Sequence, residues 1–154
     1  MVNKMTLAAP TRKNASLAVA RLMPHIVRGI QLDFFVKQGV TQTQFLVLSA
    51  VRAYARCTMS TLARTLHVSM PTVSGIVDRL VRAGYLHRIP QSEDRRQVVV
   101  ELTQKGQHFF QQFEAVVRRR WEEVLVSLEP EELEAFYAVI TKLQTRLQSA
   151  VPEP

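Results

Sequence analysis

Apolar and polar positions change rhythm twice between Thr58 and Gly106. From Thr58 to Val68 the order of residues places Leu62, Ala63 and Leu66 on one side of a helix, with Thr58 as its cap. After a polar break, Val73, Ile76, Val77 and Leu80 recur at i, i+3, i+4 and i+7, the spacing of one helical face. Ser69 can cap this second helix. Pro71 suits its first turn, where the missing N–H has no partner to lose. Gly84 is placed to stop it in a left-handed conformation. The helical period then ends. Tyr85–Ile89 and Gln97–Leu102 are β-branched or aromatic runs on either side of a polar, turn-like Pro90–Arg96, which predicts a two-stranded hairpin with a charged tip.

The flanking segments read as longer helices. Over 15–38, Val19, Leu22, Met23, Ile26, Ile30 and Phe34 recur near helical spacing, and Pro24 inside the run predicts a kink or a late start. Gly39 breaks it. Thr41 and Gln44 form a capping box for a helix that turns Phe45, Leu48 and either Val51 or Ala55 to a core. Thr103 can cap a long helix reaching about Val126, with Phe109, Phe110, Phe113, Val116, Val117, Trp121, Val124 and Leu125 as a wide apolar stripe. Glu129-Pro130-Glu131-Glu132 opens a last helix, with acids at the positive end of its dipole. Leu133, Phe136, Tyr137, Ile140, Leu143 and Leu147 form its apolar face. Residues 1–14 carry Lys4, Arg12 and Lys13 with little periodicity and read as a flexible arm, and 150–154 as a frayed end.

Helix, turn, helix and hairpin in that order is the layout of a winged helix-turn-helix. The predicted class is therefore mainly α with a small β-hairpin wing, plus long terminal helices. In such a motif the second helix can lie in the major groove of DNA, which admits one helix. The hairpin tip can reach the neighbouring minor groove, whose narrow A·T-rich stretches attract arginine. The terminal helices carry more apolar surface than a small winged domain needs, so part of it is expected between subunits.

Charge supports this picture. The chain of 154 residues has a formal charge of +7, which favours a polyanionic partner. Residues 1–56 hold eight Lys/Arg against one acid, residues 57–106 seven against four, and residues 107–154 five against eight. The basic surface thus belongs to the first two-thirds, the one-sided distribution expected of a nucleic-acid footprint. The single Cys57 permits no internal disulfide, and no apolar run reaches membrane-spanning length. With no apolar signal-peptide core at the N-terminus, a cytoplasmic location and no membrane partner are expected.

The same residues carry a resemblance to the MarR family of bacterial transcription regulators. They are Leu62-Ala63-x-x-Leu66-x-Val68-Ser69, then Val73-Ser74-x-x-Val77-Asp78-Arg79-Leu80-x-x-x-Gly84-Tyr85-Leu86-x-Arg88. Asp94-Arg95-Arg96 and Val100-x-Leu102-Thr103-x-x-Gly106 complete them. Gly39-Val40-Thr41-x-x-Gln44-Phe45-x-Val47-Leu48 is also similar to the family's second helix. The resemblance implies a homodimer through 15–38 and 103–149, a winged DNA-binding region over 40–102, and double-stranded DNA as partner. Such a dimer would present two reading helices roughly 34 Å apart to a near-palindromic operator. Ser69, Met70, Pro71, Thr72 and Ser74 fall in the first turns of the reading helix, where side chains meet base edges. Arg79 and Arg82 suit phosphates. By resemblance Asp94 orients the wing, with Arg95 beside it, and Arg96 enters the minor groove. Family members are most often repressors, and often release DNA on binding small aromatic or phenolic anions between the dimer helices and the winged region. Arg21, His25, Arg28, Phe34 and Phe45 are the candidate lining residues for such an effector.

Other chemistries find little support. Cys57 is expected to be a buried, inert thiol. Some relatives sense oxidants through a cysteine in their first helix, and this chain has none there. His25, His67, His87 and His108 are scattered, with no pair at metal-binding spacing. Neither a glycine-rich phosphate loop nor a Gly-x-Ser-x-Gly elbow occurs, so no enzyme and no cofactor is expected. The competing class is a winged-helix protein that coats DNA without sequence preference or binds another protein.

Overall fold

The computed structural model describes residues 11–30, 34–54, 57–90 and 98–150, with side chains of all but residue 29 and residues 148–150. The sequence-predicted wing tip, including Asp94, Arg95 and Arg96, lies outside the described residues, as do residues 1–10 of the expected arm. Among the described residues, seven helices and three strands follow in order: α1 (Arg12–Ile30), α2 (Val36–Gln38), α3 (Gln42–Ala53), β1 (Cys57–Thr58), α4 (Met59–Thr65), α5 (Met70–Arg82), β2 (Leu86–Pro90), β3 (Val98–Leu102), α6 (Gln104–Leu125) and α7 (Pro130–Ala150).

Most helix starts are set by one side chain. Thr41, Thr58, Ser69 and Thr103 each accept a hydrogen bond from the backbone N–H three residues on, and Gln44 returns the bond to complete the capping box at α3. The first helix differs from expectation. Thr11 Oγ1 accepts from the Asn14 N–H at 3.2 Å, so Arg12–Asn14 join α1 instead of the arm. Of the helix expected over 15–38, α1 describes the part up to Ile30 and α2 the end at Val36–Gln38, while residues 31–33 lie outside the described residues.

Three helix ends use one device. In each, a residue with positive φ follows the last turn and two N–H groups fold back onto it. Gly39 (φ 63°) and Gly84 (φ 78°) do so with glycine, whereas His67 (φ 52°) does so with a side chain. Val68 N–H then bonds Ala63 O and His67 N–H bonds Arg64 O, as Tyr85 N–H bonds Leu80 O and Gly84 N–H bonds Val81 O.

The sheet is antiparallel, in the order β1-β3-β2. The hairpin pairs Leu86 with Leu102 and Pro90 with Val98. The two-stranded expectation is corrected by β1, in which Cys57 and Thr58 pair with Val100 and Val99. Two residues are too few to show alternation, so this strand exists only because the start of α4 is packed against β3.

Val47, Leu48, Leu62, Val73, Val77, Leu80 and Phe109 are fully buried and tie α3, α4, α5 and α6 into one core. An aromatic cluster joins α6 to the winged region. Phe109 lies 5.0 Å from Phe34 and 5.6 Å from Tyr85, and Phe45 lies 4.9 Å from both Phe35 and Phe113 between ring centroids. Such pairs contribute about 0.5–1.5 kcal/mol each beyond area burial. The terminal helices are less covered. Leu17, Val19 and Met23 of α1, and Tyr137, Val139, Leu143 and Leu147 of α7, are exposed in the single subunit. No helix among the described residues is long and apolar enough to cross a membrane.

Candidate nucleic-acid interface

α5 turns one face inward and leaves the other open. Val73, Ile76, Val77 and Leu80 are buried. At 100° per residue the opposite face carries Pro71, Gly75, Asp78 and Arg82. Ser69, Met70, Pro71, Thr72, Arg79 and Arg82 are exposed, and Ser74 is half-buried on the flank. Six of the ten sequence-predicted contact residues are therefore exposed at or near one helix, a seventh lies beside them, and the other three belong to the wing tip. Ser69 is partly committed, because its Oγ accepts from Thr72 N–H at 3.3 Å and lies 2.8 Å from Thr72 Oγ1. Arg82 leans back onto its own helix, Nε donating to Asp78 O at 3.4 Å.

Gly75 is unusual on this face. A Cβ built there meets nothing within 4 Å, and the backbone is helical. Glycine inside a helix costs about 1 kcal/mol relative to alanine, and packing offers no compensation at this position.

The base of the wing is fastened to α5 by residues that the sequence reading did not select as site residues. Arg88 of β2 donates to Asp78 Oδ1 at 2.5 Å. Both side chains are partly exposed, so the pair contributes orientation more than stability. At the other end of α5, Lys105 Nζ donates to the Ala83 carbonyl at 2.8 Å and sits 4.5 Å from the centre of the Tyr85 ring. A cation there complements the negative end of the helix dipole. Thr103 O–H donates to Gly84 O at 2.6 Å while its N–H bonds Tyr85 O at 3.0 Å. A Cβ at Gly106 would overlap the Tyr85 carbonyl oxygen and press on Leu102 at 3.0 Å, so only glycine lets α6 start this close to the end of α5. The Thr103 and Gly106 signal was visible as a cap and a motif; its role in holding α5 required the fold.

The candidate effector residues are not brought together. Phe34 lines a cleft of about 600 Å³ between the α1–α2 region and α6, with Ile30, Lys37, Gln38, Gln112, Arg119, Arg120 and Glu123. Phe45 lines a separate cleft of about 320 Å³ with Val27, Phe35, Leu46 and Phe113. Arg21, His25 and Arg28 are exposed and line neither, because they fall on the side of α1 opposite the buried Ile26 and Ile30. The charges that do face the larger cleft are Lys37, Arg119 and Arg120 against Glu123, which lies 2.7 Å from Arg120. They escaped the sequence reading because α2 and the middle of α6 are far apart along the chain.

Cys57 is buried in β1, and burial pushes its thiol up to about 11, so it stays protonated near neutrality. Burial also raises Tyr85, whose hydroxyl donates to Gln38 O at 3.2 Å. Among the described residues no three His, Cys, Asp or Glu gather as a metal site.

Comparison with known proteins agrees with this geometry. An uncharacterized HTH-type transcriptional regulator of Bacillus subtilis, YfiV, is 29% identical over 119 residues, covering 77% of this chain and 74% of the relative. The transcriptional regulator Tm0710 of Thermotoga maritima has the same fold, with a TM-score of 0.79 at 21% identity over 90% of this chain and 96% of the other. A MepR–DNA complex of Staphylococcus aureus matches with a TM-score of 0.66 at 23% identity, over 82% and 96%. The model of the MarR family matches residues 40–98, which run from the end of α2 into β3 and contain α3, α4, α5 and β2. Over this region, framed by long helices, the chain is similar to the MarR family.

Proposed function

We propose that this protein is a dimeric, sequence-specific DNA-binding transcription regulator that acts as a repressor at a near-palindromic operator. The observation that carries this reading is α5: its inner face is fully packed, while its first turn and outer face stand open to a partner. Ser69, Met70, Pro71, Thr72 and Ser74 would meet base edges, and Arg79 and Arg82 phosphates. Asp94, Arg95 and Arg96 would serve the adjacent minor groove. The neighbour MepR, crystallised with DNA, supports the same use of the fold. The uncovered apolar residues of α1 and α7 support a homodimer through these helices, with an interface on the order of 2,000 Å² or more.

Release by a small aromatic or phenolic anion fits the larger cleft better than the residues expected from sequence. Phe34 offers a ring, and Lys37, Arg119 and Arg120 offer positive charge. A ligand there would move the equilibrium between two spacings of α5 only by its unequal affinity for them.

Selection of duplexes from a random pool tests the reading. The expected result is a recovered site with two-fold symmetry and half-sites about one helical turn apart, bound against excess random duplex. Equal retention of all sequences, tracking salt alone, would replace it with non-specific coating.

A further inference from the structure

We propose that Gly75 is a specificity-determining position, a notch in the outer face of α5 that takes the methyl group of a thymine. The inference rests on the DNA-reading function proposed above. Gly75 stands at the middle of the open face, one turn after Pro71 and one turn before Asp78 and Arg79. Its backbone is helical, its own positive-φ freedom is unused, and a Cβ would enter empty space. Folding therefore gains nothing from glycine here and would favour alanine. What a missing Cβ does provide is closer approach by something outside the chain.

The surroundings narrow what that is. Pro71, on the same face, offers an apolar ring. The carboxylate of Asp78 is drawn away by Arg88 at 2.5 Å, so it does not present a free charge into the notch. A small apolar group fits such a recess. In the major groove the only apolar group that a base presents is the thymine C5 methyl. The methyl that the protein lacks is supplied by the DNA, and shape makes the discrimination at this step, leaving the hydrogen-bonding side chains to the flanks.

The experiment compares wild type with Gly75→Ala on the operator recovered from the random pool. Each thymine of the site is replaced in turn by deoxyuridine, which lacks only the methyl. The variant is expected to melt at or above the wild-type temperature, to remain the same oligomer, and to keep its salt-dependent binding to random duplex. Its affinity for the operator is expected to fall at least tenfold. One deoxyuridine per half-site should cost the wild type a similar factor and cost the variant little more. Full operator affinity in Gly75→Ala, or no deoxyuridine effect that the variant abolishes, overturns the proposal alone. A wild type without any sequence preference overturns the regulator reading, and the proposal with it.

Discussion

Gly106→Ala adds one methyl group where α6 begins, and the structure fixes the sign of its effect. Two terms oppose each other. Alanine is the better helix former, by up to about 1 kcal/mol. Against this, the new Cβ would overlap the Tyr85 carbonyl oxygen, a backbone atom that already accepts from Thr103 N–H at 3.0 Å, and would touch Leu102 at 3.0 Å. The Leu102 methyl can shift by a few tenths of an ångström, but the Tyr85 oxygen is backbone and cannot yield. Relief requires the first turn of α6 to withdraw, stretching the Thr103 bonds to Gly84 and Tyr85. Overpacking costs about 1–3 kcal/mol, and each weakened hydrogen bond about 1 kcal/mol more. The net expectation is a loss of about 1–3 kcal/mol. Urea unfolding, followed by far-UV circular dichroism at one fixed protein concentration, measures it, with the slope expected to stay constant. Gly75→Ala is the internal control, since the same methyl meets open space there and should stabilise by about 0.5–1 kcal/mol. If Gly106→Ala were as stable as wild type, α6 would not be seated against Tyr85 as described.

Three further outcomes are expected. Arg96→Ala is expected to weaken operator binding strongly while thermal stability is unchanged; an unaltered dissociation constant at matched salt would remove the wing from the mechanism. His67→Gly should stabilise by about 0.5–1 kcal/mol in thermal melts, because the exposed His67 occupies a left-handed conformation that costs an L-residue about 1–2 kcal/mol, partly offset by glycine's freedom when unfolded. A lower melting temperature would contradict this. Cys57 sets an alkaline limit: its thiol ionises from about 9.0 when unfolded but only at about 11 when folded, so rising pH draws protons from the unfolded chain first and lowers stability across that window. Stability measured at pH 8 and pH 10.5 should therefore drop further in wild type than in Cys57→Ala, and parallel losses would show that the thiol is not buried.

Local chemistry was the legible part of this chain. Periods of 3.6 residues placed α3, α4, α5, α6 and α7, and single hydroxyls at Thr41, Thr58, Ser69 and Thr103 marked the starts of the first four, because a cap and a helix face depend only on residues within a turn or so. Gly84 announced its stop for the same reason. His67 makes an identical stop without announcing it, since nothing in an isolated histidine demands positive φ.

What only the tertiary structure decided depends on segments distant in sequence. β1 is two residues long and becomes a strand by pairing with Val99 and Val100, some forty residues later. Arg21, His25 and Arg28 looked like a pocket wall because they share a helix face, but Ile26 and Ile30 take the inward side, and the cleft receives Lys37, Arg119 and Arg120 instead. The bond from Lys105 to Ala83 joins α6 to the end of α5 across the whole hairpin between them. A helix can be read from its own residues because its hydrogen bonds are local. A cleft cannot, because its lining is set by the angles at which whole helices meet.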